Sequence, residues 1–337
     1  MDIDFVVLWV DGNDPEWLKE KAEYREDTTD ESNSVNRFRD WGLMKYWFRG
    51  VEKYAPWVRK VHFVTWGHLP DFLDISSPKL QIVKHTDYLK KEYLPTFSSH
   101  TLEMNIHRIP GLAEHFVYFN DDMFLLRPVE KDYFFDTRNC MPRVYCVEMP
   151  LRITGTDIFI QKIQANDLGV LNRNFPRRGM KVGLQGRYLS RKYDLKDNMR
   201  NLFMKYLFPE YFTGYKIFHS PAAFLKETFE EIWEKEPELL DRTSRNKFRD
   251  TSDINQWLAL YWQMAKGNFS AGYTGKDNYL TEITDNNVDS VCSFIRNPER
   301  TMICLNDPYE IIDFEVTSKK LQKAFDACLP EKSSFEK

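Results

Sequence analysis

The sequence predicts an α/β fold: a Rossmann-like, mainly parallel sheet flanked by helices, with a helical or irregular basic insertion. Strand-like apolar runs alternate with helical patterns over the first 125 residues, which is typical of parallel βαβ units. Residues 172–206 carry ten basic and two acidic side chains, although the 337-residue chain has a net charge of −4. With 42% hydrophobic residues, a chain of this length can bury a large core without disulfides.

Composition and missing motifs exclude several classes of protein. The net charge argues against a protein that covers its whole surface with nucleic acid. The five cysteines are spread along the chain without a C-x-x-C pair, which argues against a zinc cluster or a disulfide framework and indicates reduced thiols in a cytoplasm. No apolar stretch is long enough to span a membrane, and no Walker, G-x-G-x-x-G, G-x-S-x-G or kinase motif is present.

The first strand is predicted at residues 5–10, a continuous β-branched and aromatic run that suits a strand buried on both faces. Turn residues follow it, and the charged residues 19–36 are predicted to form an exposed excursion. Between residues 37 and 55, apolar side chains recur every three or four positions, which predicts a helix that ends before Pro56.

The alternation continues to the middle of the chain. Residues 60–66 and 80–83 are predicted strands, and a helix with a serine cap is predicted over residues 98–110. Residues 116–119 form the fourth predicted strand. The second half is less regular.

In the second half, helices are predicted at residues 222–236 and 254–266, with a polar stretch at residues 241–253 between them. A last strand is predicted at residues 301–305.

Three predicted strands end in acidic and amide side chains: Asp11 follows the first, residues 120–122 (NDD) follow the fourth, and residues 306–307 (ND) follow the last. Because strand ends of a parallel sheet converge on one edge, these oxygens could gather around a divalent cation, Mg²⁺ or Mn²⁺. In an extended strand, Asn120 and Asp122 point to one side while the residue between them points to the other. The alternative, that Asn and Asp only mark turns, stays open.

Histidines and basic residues add further candidates. His219 follows an apolar segment, and from a loop there its imidazole could reach a substrate. Glu103 and His107 lie one helical turn apart and share a face. For each histidine, the alternative is a solvated side chain or one that is satisfied in the core. The basic residues between 172 and 206 either form an ordinary exposed face or contact an anionic partner, such as phosphates or the inner membrane surface.

Several longer motifs resemble the Stealth family and occur in the family's order. The first region is matched by residues 8–15 (LWVDGNDP), and the second by residues 37–40 (RFRD), 51–61, 94–100, 107–112 and 118–124. The third region is matched by residues 218–221 (FHSP) and 248–249, and the fourth by residues 303–307 (ICLND). Stealth proteins include bacterial capsular polysaccharide hexose-1-phosphate transferases and the catalytic part of the animal GlcNAc-1-phosphotransferase that tags lysosomal enzymes.

The resemblance implies a nucleotide-sugar donor, Mg²⁺ or Mn²⁺, and a core similar to the GT-A type. The expected reaction moves hexose-1-phosphate or HexNAc-1-phosphate from a UDP-sugar to a hydroxyl of an oligosaccharide or lipid-linked glycan acceptor. It forms a phosphodiester in a bacterial capsular or cell-surface polysaccharide and releases UMP. The alternatives are a conventional metal-dependent GT-A glycosyltransferase that releases UDP, and a non-catalytic carbohydrate-binding protein. We expect a cytoplasmic protein that contacts the inner face of the plasma membrane peripherally and has no nucleic-acid partner.

Phosphoryl transfer mainly requires positioning and charge neutralisation, so the residues that match the family motifs receive roles of that kind. Asp121 and Asp122 are expected to bind the metal, and Asn120 is expected to orient a phosphate or ligand. Asp11 is expected at the edge of the donor or metal site, and it joins Asp121 in the expected catalytic set.

The remaining roles concern the proton and the phosphates. His219 is expected to be the general base or a phosphate contact, because an imidazole can accept a hydroxyl proton near neutral pH. Arg249 is expected to clamp phosphate oxygens bidentately. Arg39, Glu103 and Asp307 match family motifs and are placed among the donor-binding and cofactor-binding residues.

The expected domain organisation is one catalytic core with an insertion. Residues 1–136 form the first part of the nucleotide-sugar and metal-binding core, and residues 216–325 complete it. Residues 137–215 are expected to be a basic insertion that faces the acceptor or the membrane, and residues 326–337 a tail.

Overall fold

The computed structural model describes residues 1–24, 39–155, 158–178, 187–307 and 313–337. Its strands are β1 (Ile3–Leu8), β2 (Val61–Thr65), β3 (Leu80–Lys84), β4 (His115–Phe119), β5 (Met123–Leu125), β6 (Phe135–Asp136), β7 (Met141–Val144), β8 (Ala222–Leu225), β9 (Ser270–Ala271), β10 (Asn278–Glu282) and β11 (Met302–Asn306). Its helices are α1 (Pro15–Tyr24), α2 (Met44–Tyr54), α3 (His85–Tyr88), α4 (Ser99–Met104), α5 (Lys131–Phe134), α6 (Ile158–Asn174), α7 (Leu195–Leu207), α8 (Lys226–Lys235), α9 (Pro237–Arg245), α10 (Gln256–Lys266), α11 (Val288–Arg296) and α12 (Phe314–Cys328).

The central sheet has the strand order β3-β2-β1-β4-β8. Its first four strands are parallel, and β8 runs antiparallel to β4. The predicted α/β class and mainly parallel sheet are therefore confirmed. All six residues of β1 are buried, as expected for a strand covered on both faces.

The two faces of the sheet belong to two different hydrophobic clusters, because successive side chains of a strand point in opposite directions. Phe5 and Val7 of β1 pack into a cluster with side chains of α2, α11 and α12. Val6 and Leu8 pack into a second cluster with side chains of α8 and α10. Each large apolar side chain buried in this way contributes roughly 1.5–3 kcal/mol. The helices on both faces thus enclose the sheet, and the carboxyl ends of its four parallel strands lie at one edge.

Residues of the predicted insertion form a third hydrophobic cluster that packs against α10. Tyr145, Cys146 and Tyr188 contribute buried side chains from the insertion, and Tyr261 and Met264 contribute them from α10. The described residues also form two smaller sheets, with strand orders β10-β11-β5 and β6-β7-β9.

Two predictions for the first half need correction. The helix predicted from residue 37 begins at Met44; residues 37 and 38 lie outside the described residues, and residues 39–43 are not helical. Gly42 has φ +67°, and its N–H donates to Asp40 Oδ1 at 2.8 Å, a turn that delays the helix. The excursion predicted from Lys19 begins inside α1, whose Trp17 is buried; residues 25–36 lie outside the described residues.

Three further boundaries differ. Residues 222–225, predicted as helix, form strand β8 because they pair with β4. The helix predicted over residues 98–110 ends at Met104, and the Ser98 side chain makes no cap hydrogen bond. Part of the polar stretch predicted between the last two helices belongs to α9.

Candidate active site

The carboxyl end of β4 is the centre of the site. The polypeptide continues from Phe119 through residues 120–122 into β5, which pairs antiparallel with β11, with Met123 opposite Cys304. The N–H of Leu305 donates to the carbonyl oxygen of Asp122 at 2.9 Å. The fourth strand of the sheet and the last strand of the chain are thereby joined at this edge.

Asp122 contacts a histidine and a cysteine that are distant in sequence. His219 Nε2 lies 3.4 Å from Asp122 Oδ2, and Cys304 Sγ donates to the same oxygen at 3.2 Å. One ligand atom from each of the three side chains lies within 4.8 Å of the other two. The structure therefore brings together the acidic end of β4, the F-H-S-P segment and β11.

The position of His219 follows from the direction of β8. Because β8 is antiparallel to β4, with Ala222 opposite Tyr118, the residues just before β8 lie at the carboxyl end of β4. Asn278 Nδ2 donates to the carbonyl oxygen of His219 at 2.5 Å and holds this segment. The imidazole lines a cavity whose other walls include Tyr118, Tyr145, Lys216, Phe218 and Trp257.

The protonation of this group is set by its neighbours. Burial by itself lowers the pKa of His219, but the charge and hydrogen bond of Asp122, with the charge of Glu103, raise it above its ordinary value. Burial raises the pKa of the Cys304 thiol well above its ordinary range, and the charge of Asp122 adds to the effect. Cys304 therefore stays a protonated donor that orients Asp122.

Asp121 lies on the other side of the strand end. Its side chain is exposed to solvent, although protein atoms around the carboxyl partly desolvate it. This desolvation, together with the negative charges of Asp122 and Asp40, raises the pKa of Asp121 to about 7. The charge of Asp11 in turn raises the pKa of Asp40, after the larger effect of burial. The carboxylates of β1, β4 and the segment before α2 are thus close enough to repel one another.

Asp11 itself stands in a turn beside a histidine. Its N–H donates to His68 Nε2 at 2.7 Å, and its Oδ1 accepts from the N–H of Asn13 at 2.9 Å. Because β1 and β4 are parallel, Asp11, which follows β1, lies at the same edge of the sheet as the end of β4.

The end of β11 carries Asp307, which pairs loosely with Arg39. The Nε of Arg39 lies 3.8 Å from Asp307 Oδ2. Burial raises the pKa of Asp307 to about 6, although the arginine charge opposes the shift. The Trp41 side chain lies close enough to oppose this shift as well, although neither carboxyl oxygen of Asp307 makes a hydrogen bond of normal geometry within the described part of the chain.

Glu103 supports the end of β4 from α4. Tyr118 Oη lies 3.1 Å from Glu103 Oε1 and 2.7 Å from Asn120 Oδ1, so the phenol connects the two residues. The N–H of Gln256, at the start of α10, lies 3.4 Å from Glu103 Oε2. Glu103 is buried and contacts the site through these neighbours.

Arg249 approaches from the segment after α9. Its Nη2 donates to Ser99 Oγ at 2.8 Å. Its positive charge lowers the pKa of Asp121 and that of His219, so it lies near both groups. The structure thus places every residue expected from the sequence at or next to one edge of the sheet.

The residues present fit a divalent cation with oxygen ligands. Asp122 Oδ1 is buried and has no hydrogen-bond partner among the described residues, a costly state that a cation would relieve. The neighbouring carboxyl of Asp121 offers a second hard ligand. Cys304 is the least suitable member of the cluster, because its thiol keeps its proton.

Three residues at the site were not predicted from the sequence as site residues: Cys304, Asp40 and Tyr118. Cys304 and Tyr118 lie inside apolar strands and look like core residues. Their positions in the sequence could have indicated the site. Cys304 lies two residues before Asn306, and Tyr118 lies two residues before Asn120, so each points to the same side of its strand as that amide.

Carboxylates, an imidazole and arginines at the carboxyl edge of a mainly parallel sheet define the class of protein: an α/β transferase. Residues 1–29 match the model of Stealth protein conserved region 1, and residues 37–142 match that of conserved region 2. The expected matches to the third and fourth regions stay predictions. The chain belongs to the Stealth family.

Several named phosphotransferases are similar to this chain over almost their full length. The receptor polysaccharide phosphotransferase WefC of Streptococcus oralis is 41% identical over 99% of each chain. The capsular polysaccharide phosphotransferase WcwK of Streptococcus pneumoniae is 40% identical over 100% of this chain and 99% of its own. The exopolysaccharide phosphotransferase cps2G of Lactiplantibacillus plantarum is 37% identical over 100% and 96%.

Among solved structures, the galactosyltransferase LgtC in complex with donor and acceptor sugar analogs aligns over 95% of each chain with a TM-score of 0.39 and 9% identity. None of the helices in the described residues is long and apolar enough to cross a membrane.

Proposed function

We propose that this chain is a sugar-1-phosphate transferase that moves hexose-1-phosphate or HexNAc-1-phosphate from a UDP-sugar to a hydroxyl of a glycan acceptor. The contact between His219 and Asp122 at the end of β4 carries the proposal, because it supplies a base beside a carboxylate site in a family whose relatives are named polysaccharide phosphotransferases. The product would be a phosphodiester in a capsular or cell-surface polysaccharide.

The reaction transfers a phosphoryl group. The acceptor oxygen bonds to the β-phosphorus of the donor, the bond from that phosphorus to the bridging oxygen breaks, and UMP leaves. His219 donates its Nε2–H to Asp122, so its Nδ1 accepts the proton of the acceptor hydroxyl, and Asp122 stabilises the imidazolium that forms. Cys304 keeps Asp122 oriented through its hydrogen bond.

Positive charge is required where the phosphate oxygens lie. Arg249, held by Ser99, would contact these oxygens, and Arg39 beside Asp307 would contact the donor at the opposite side of the cleft. Asn120, held by Tyr118, would orient a phosphate oxygen or a metal ligand.

Asp121 and Asp122 would hold Mg²⁺ or Mn²⁺, with Asp11 at the edge of the metal site. A bound divalent cation would neutralise charge on the diphosphate. The raised pKa of Asp121 supports this assignment, because like-charged carboxylates in a cleft are the arrangement that a cation stabilises.

The acceptor side is proposed for residues 137–215, whose Tyr145 lines the same cavity as His219. The acceptor would be an oligosaccharide or a lipid-linked glycan, the second of which would bring the enzyme to the inner face of the plasma membrane.

Identifying the nucleotide released tests the reaction class. The protein is incubated with UDP-GlcNAc or UDP-galactose, an oligosaccharide acceptor and Mg²⁺, and nucleotides are separated by chromatography. We expect UMP, together with a phosphodiester signal in the ³¹P NMR spectrum of the product. Release of UDP would instead identify a conventional glycosyltransferase, and no turnover with a broad donor panel would favour a carbohydrate-binding protein.

A site variant connects the reaction to the residues. Asp122→Asn is expected to fold normally and to lose turnover by at least about a hundredfold, since it removes a metal ligand and the partner of the base. Asp71→Asn, at an exposed position, is the matched control with wild-type turnover. Unchanged turnover in the Asp122 variant would refute the assignment of the metal site.

A further inference from the structure

Helix α7 exposes an apolar face to solvent. Leu195, Met199, Phe203 and Tyr206 are 76%, 63%, 63% and 74% exposed, and at spacings of three and four residues they form one stripe along the helix. Leu202 is 43% exposed at its edge. Scattered exposed apolar residues are ordinary, but a continuous stripe of large ones marks an interaction site.

The opposite face of α7 is polar and buried. Asn201 Nδ2 donates to the carbonyl oxygens of Cys146 and Tyr188 at 2.9 and 2.7 Å, and Asn201 Oδ1 accepts from the N–H of Glu148 at 2.7 Å. Asp197 Oδ2 accepts from Tyr145 Oη at 2.9 Å. These hydrogen bonds fix the rotation of the helix about its axis, so the apolar stripe cannot turn inward without leaving buried polar groups unpaired.

Basic side chains border the stripe. Lys196 and Arg200 follow Leu195 and Met199 in sequence and are exposed on one flank of the apolar stripe. Of the nearby acids, Asp194 pairs with Lys276 at 2.5 Å, and Asp197 accepts from Tyr145 and lies 3.6 Å from Arg200 Nη1. Arg200 is therefore partly balanced, and Lys196 with Arg191 keeps the border of the stripe positive.

Not all of the basic block shares this surface. Arg177 is buried in an ion pair with Glu148, Arg173 pairs with Glu236 at 2.8 Å, and Lys181 lies outside the described residues. The positive charge that faces solvent with the apolar stripe is that of α7 and of Arg191 just before it.

We propose that α7 docks this protein on a bilayer that contains anionic lipids, lying in the plane of the interface with its apolar stripe in the acyl boundary. Its 13 residues span only about 20 Å, which suits a helix lying in the interface and not one that crosses the bilayer. The basic border selects an anionic membrane over a second copy of the chain, because two copies packed face to face would bring their positive borders together.

The docked helix would lie next to the candidate site. Tyr145 lines the cavity that contains His219, and the same phenol donates to Asp197 and accepts from the N–H of Asp194 at 2.8 Å. One aromatic side chain thus connects α7 to the cavity. A substrate anchored in the membrane would meet the site close to the interface.

Vesicle binding tests the docking helix without reference to the reaction. The full chain is sedimented with vesicles of phosphatidylcholine alone or of phosphatidylcholine and phosphatidylglycerol in equal parts. We expect binding to the anionic vesicles, weakened by salt. Phe203→Gln combined with Tyr206→Gln should weaken it at least about tenfold through lost apolar burial. Lys196→Gln combined with Arg200→Gln should weaken it by roughly fivefold per charge.

Ile75→Gln combined with Leu280→Gln is the matched control, because these side chains are 65% and 50% exposed away from α7; it should bind like the wild type. Wild-type binding by the Phe203/Tyr206 variant, or no binding by the wild type, would overturn the proposal. So would a wild-type dimer that this variant converts to monomer, since the stripe would then be a self-interface. Vesicle binding is measured without donor or acceptor, so a failure here is distinct from a failure of the proposed reaction.

Discussion

Asp122 has different neighbours on its two carboxyl oxygens, and this asymmetry defines its chemistry. Its Oδ2 contacts His219 and Cys304, whereas its Oδ1 is buried without a hydrogen bond among the described residues. One oxygen can therefore orient the imidazole and stabilise its protonated form, while the other faces a cation. A carboxylate with only one of these two roles would not need the buried, unpaired oxygen.

The pH dependence of turnover should report His219. As a general base it must be unprotonated, so kcat/KM should rise with pH through a pKa above the ordinary histidine value. Asp122→Asn removes the charge that raises this pKa, and the rising limb of its residual activity should move to lower pH.

His219→Ala should lose about 10²–10⁴-fold in kcat with donor binding mostly retained, as titration calorimetry can measure.

His115→Ala is the control for that variant, because His115 lies at the opposite end of β4. A rising limb that persists in His219→Ala at its wild-type pKa would assign the limb to another group. Wild-type kcat in His219→Ala would remove this residue from the mechanism.

At the scale of elements, β1 is held by a buried charge as well as by apolar packing. Asp4 is fully buried; its carboxylate accepts from Arg59 Nε at 2.8 Å and from the N–H of Ala113 at 2.9 Å, and lies 2.9 Å from His62 Nε2. These partners come from β2 and from the segments before β2 and β4. One side chain thus joins the three central strands at the edge opposite the site.

Asp4→Asn should lower the free energy of unfolding by about 3 kcal/mol, since it leaves buried partners without their counter-charge. Urea titrations followed by circular dichroism would measure the loss. Asp2→Asn, at an exposed position just before the strand, is the control and should be neutral. Equal midpoints for the two variants would contradict the structural role of Asp4.

The same carboxylate predicts an acid-dependent loss of stability. Burial alone raises the pKa of Asp4, but the hydrogen bonds from His62, Arg59 and Ala113 outweigh it and lower the pKa from 3.8 to about 2. A carboxylate whose pKa is lower in the folded state than in the unfolded state stabilises the fold at pH values above its unfolded-state pKa. This stabilisation is lost as the pH falls through the folded-state pKa. The stability difference between wild type and Asp4→Asn should therefore shrink by roughly 2 kcal/mol as the pH falls from about 5 to about 2.

At the scale of the whole molecule, the last residues of the chain pack against helix α2. Arg49 of α2 donates from Nε and Nη2 to the two carboxyl oxygens of Glu336, each at 2.8 Å, and from Nη1 to the carbonyl oxygen of Leu329 at 2.8 Å. The predicted tail at residues 326–337 is therefore packed and hydrogen-bonded. This contact joins segments that are 287 residues apart.

Glu336→Gln should lower the free energy of unfolding by about 3 kcal/mol, because it removes the carboxylate that accepts two hydrogen bonds from the buried Arg49 guanidinium and leaves only the exposed Asp326, 3.6 Å away, as a counter-charge. Glu331→Gln, which changes an exposed carboxylate five residues earlier, should leave the urea midpoint unchanged. If the two variants unfold alike, the Arg49–Glu336 pair does not contribute to stability.

Local patterns account for the parts of the fold that were predicted. The strands at β1, β2, β3, β4 and β11 appear as short apolar runs bounded by turn residues, and the structure confirms them. The helix predicted over residues 222–236 was wrong at its start, because pairing with β4 outweighs the local pattern of Ala222–Leu225. Strand β8 could not be read locally, since its partner lies a hundred residues away.

The sequence by itself determined the chemistry available to this protein: an N-D-D motif after an apolar strand, an F-H-S-P segment and the Stealth motifs. Only the tertiary structure decided which of these groups meet. Asp122 contacts His219 across 97 residues and Cys304 across 182, because one antiparallel strand and one small sheet bring those segments to the end of β4. Such contacts depend on strand direction and pairing, which are properties of the whole packed chain and not of any local pattern.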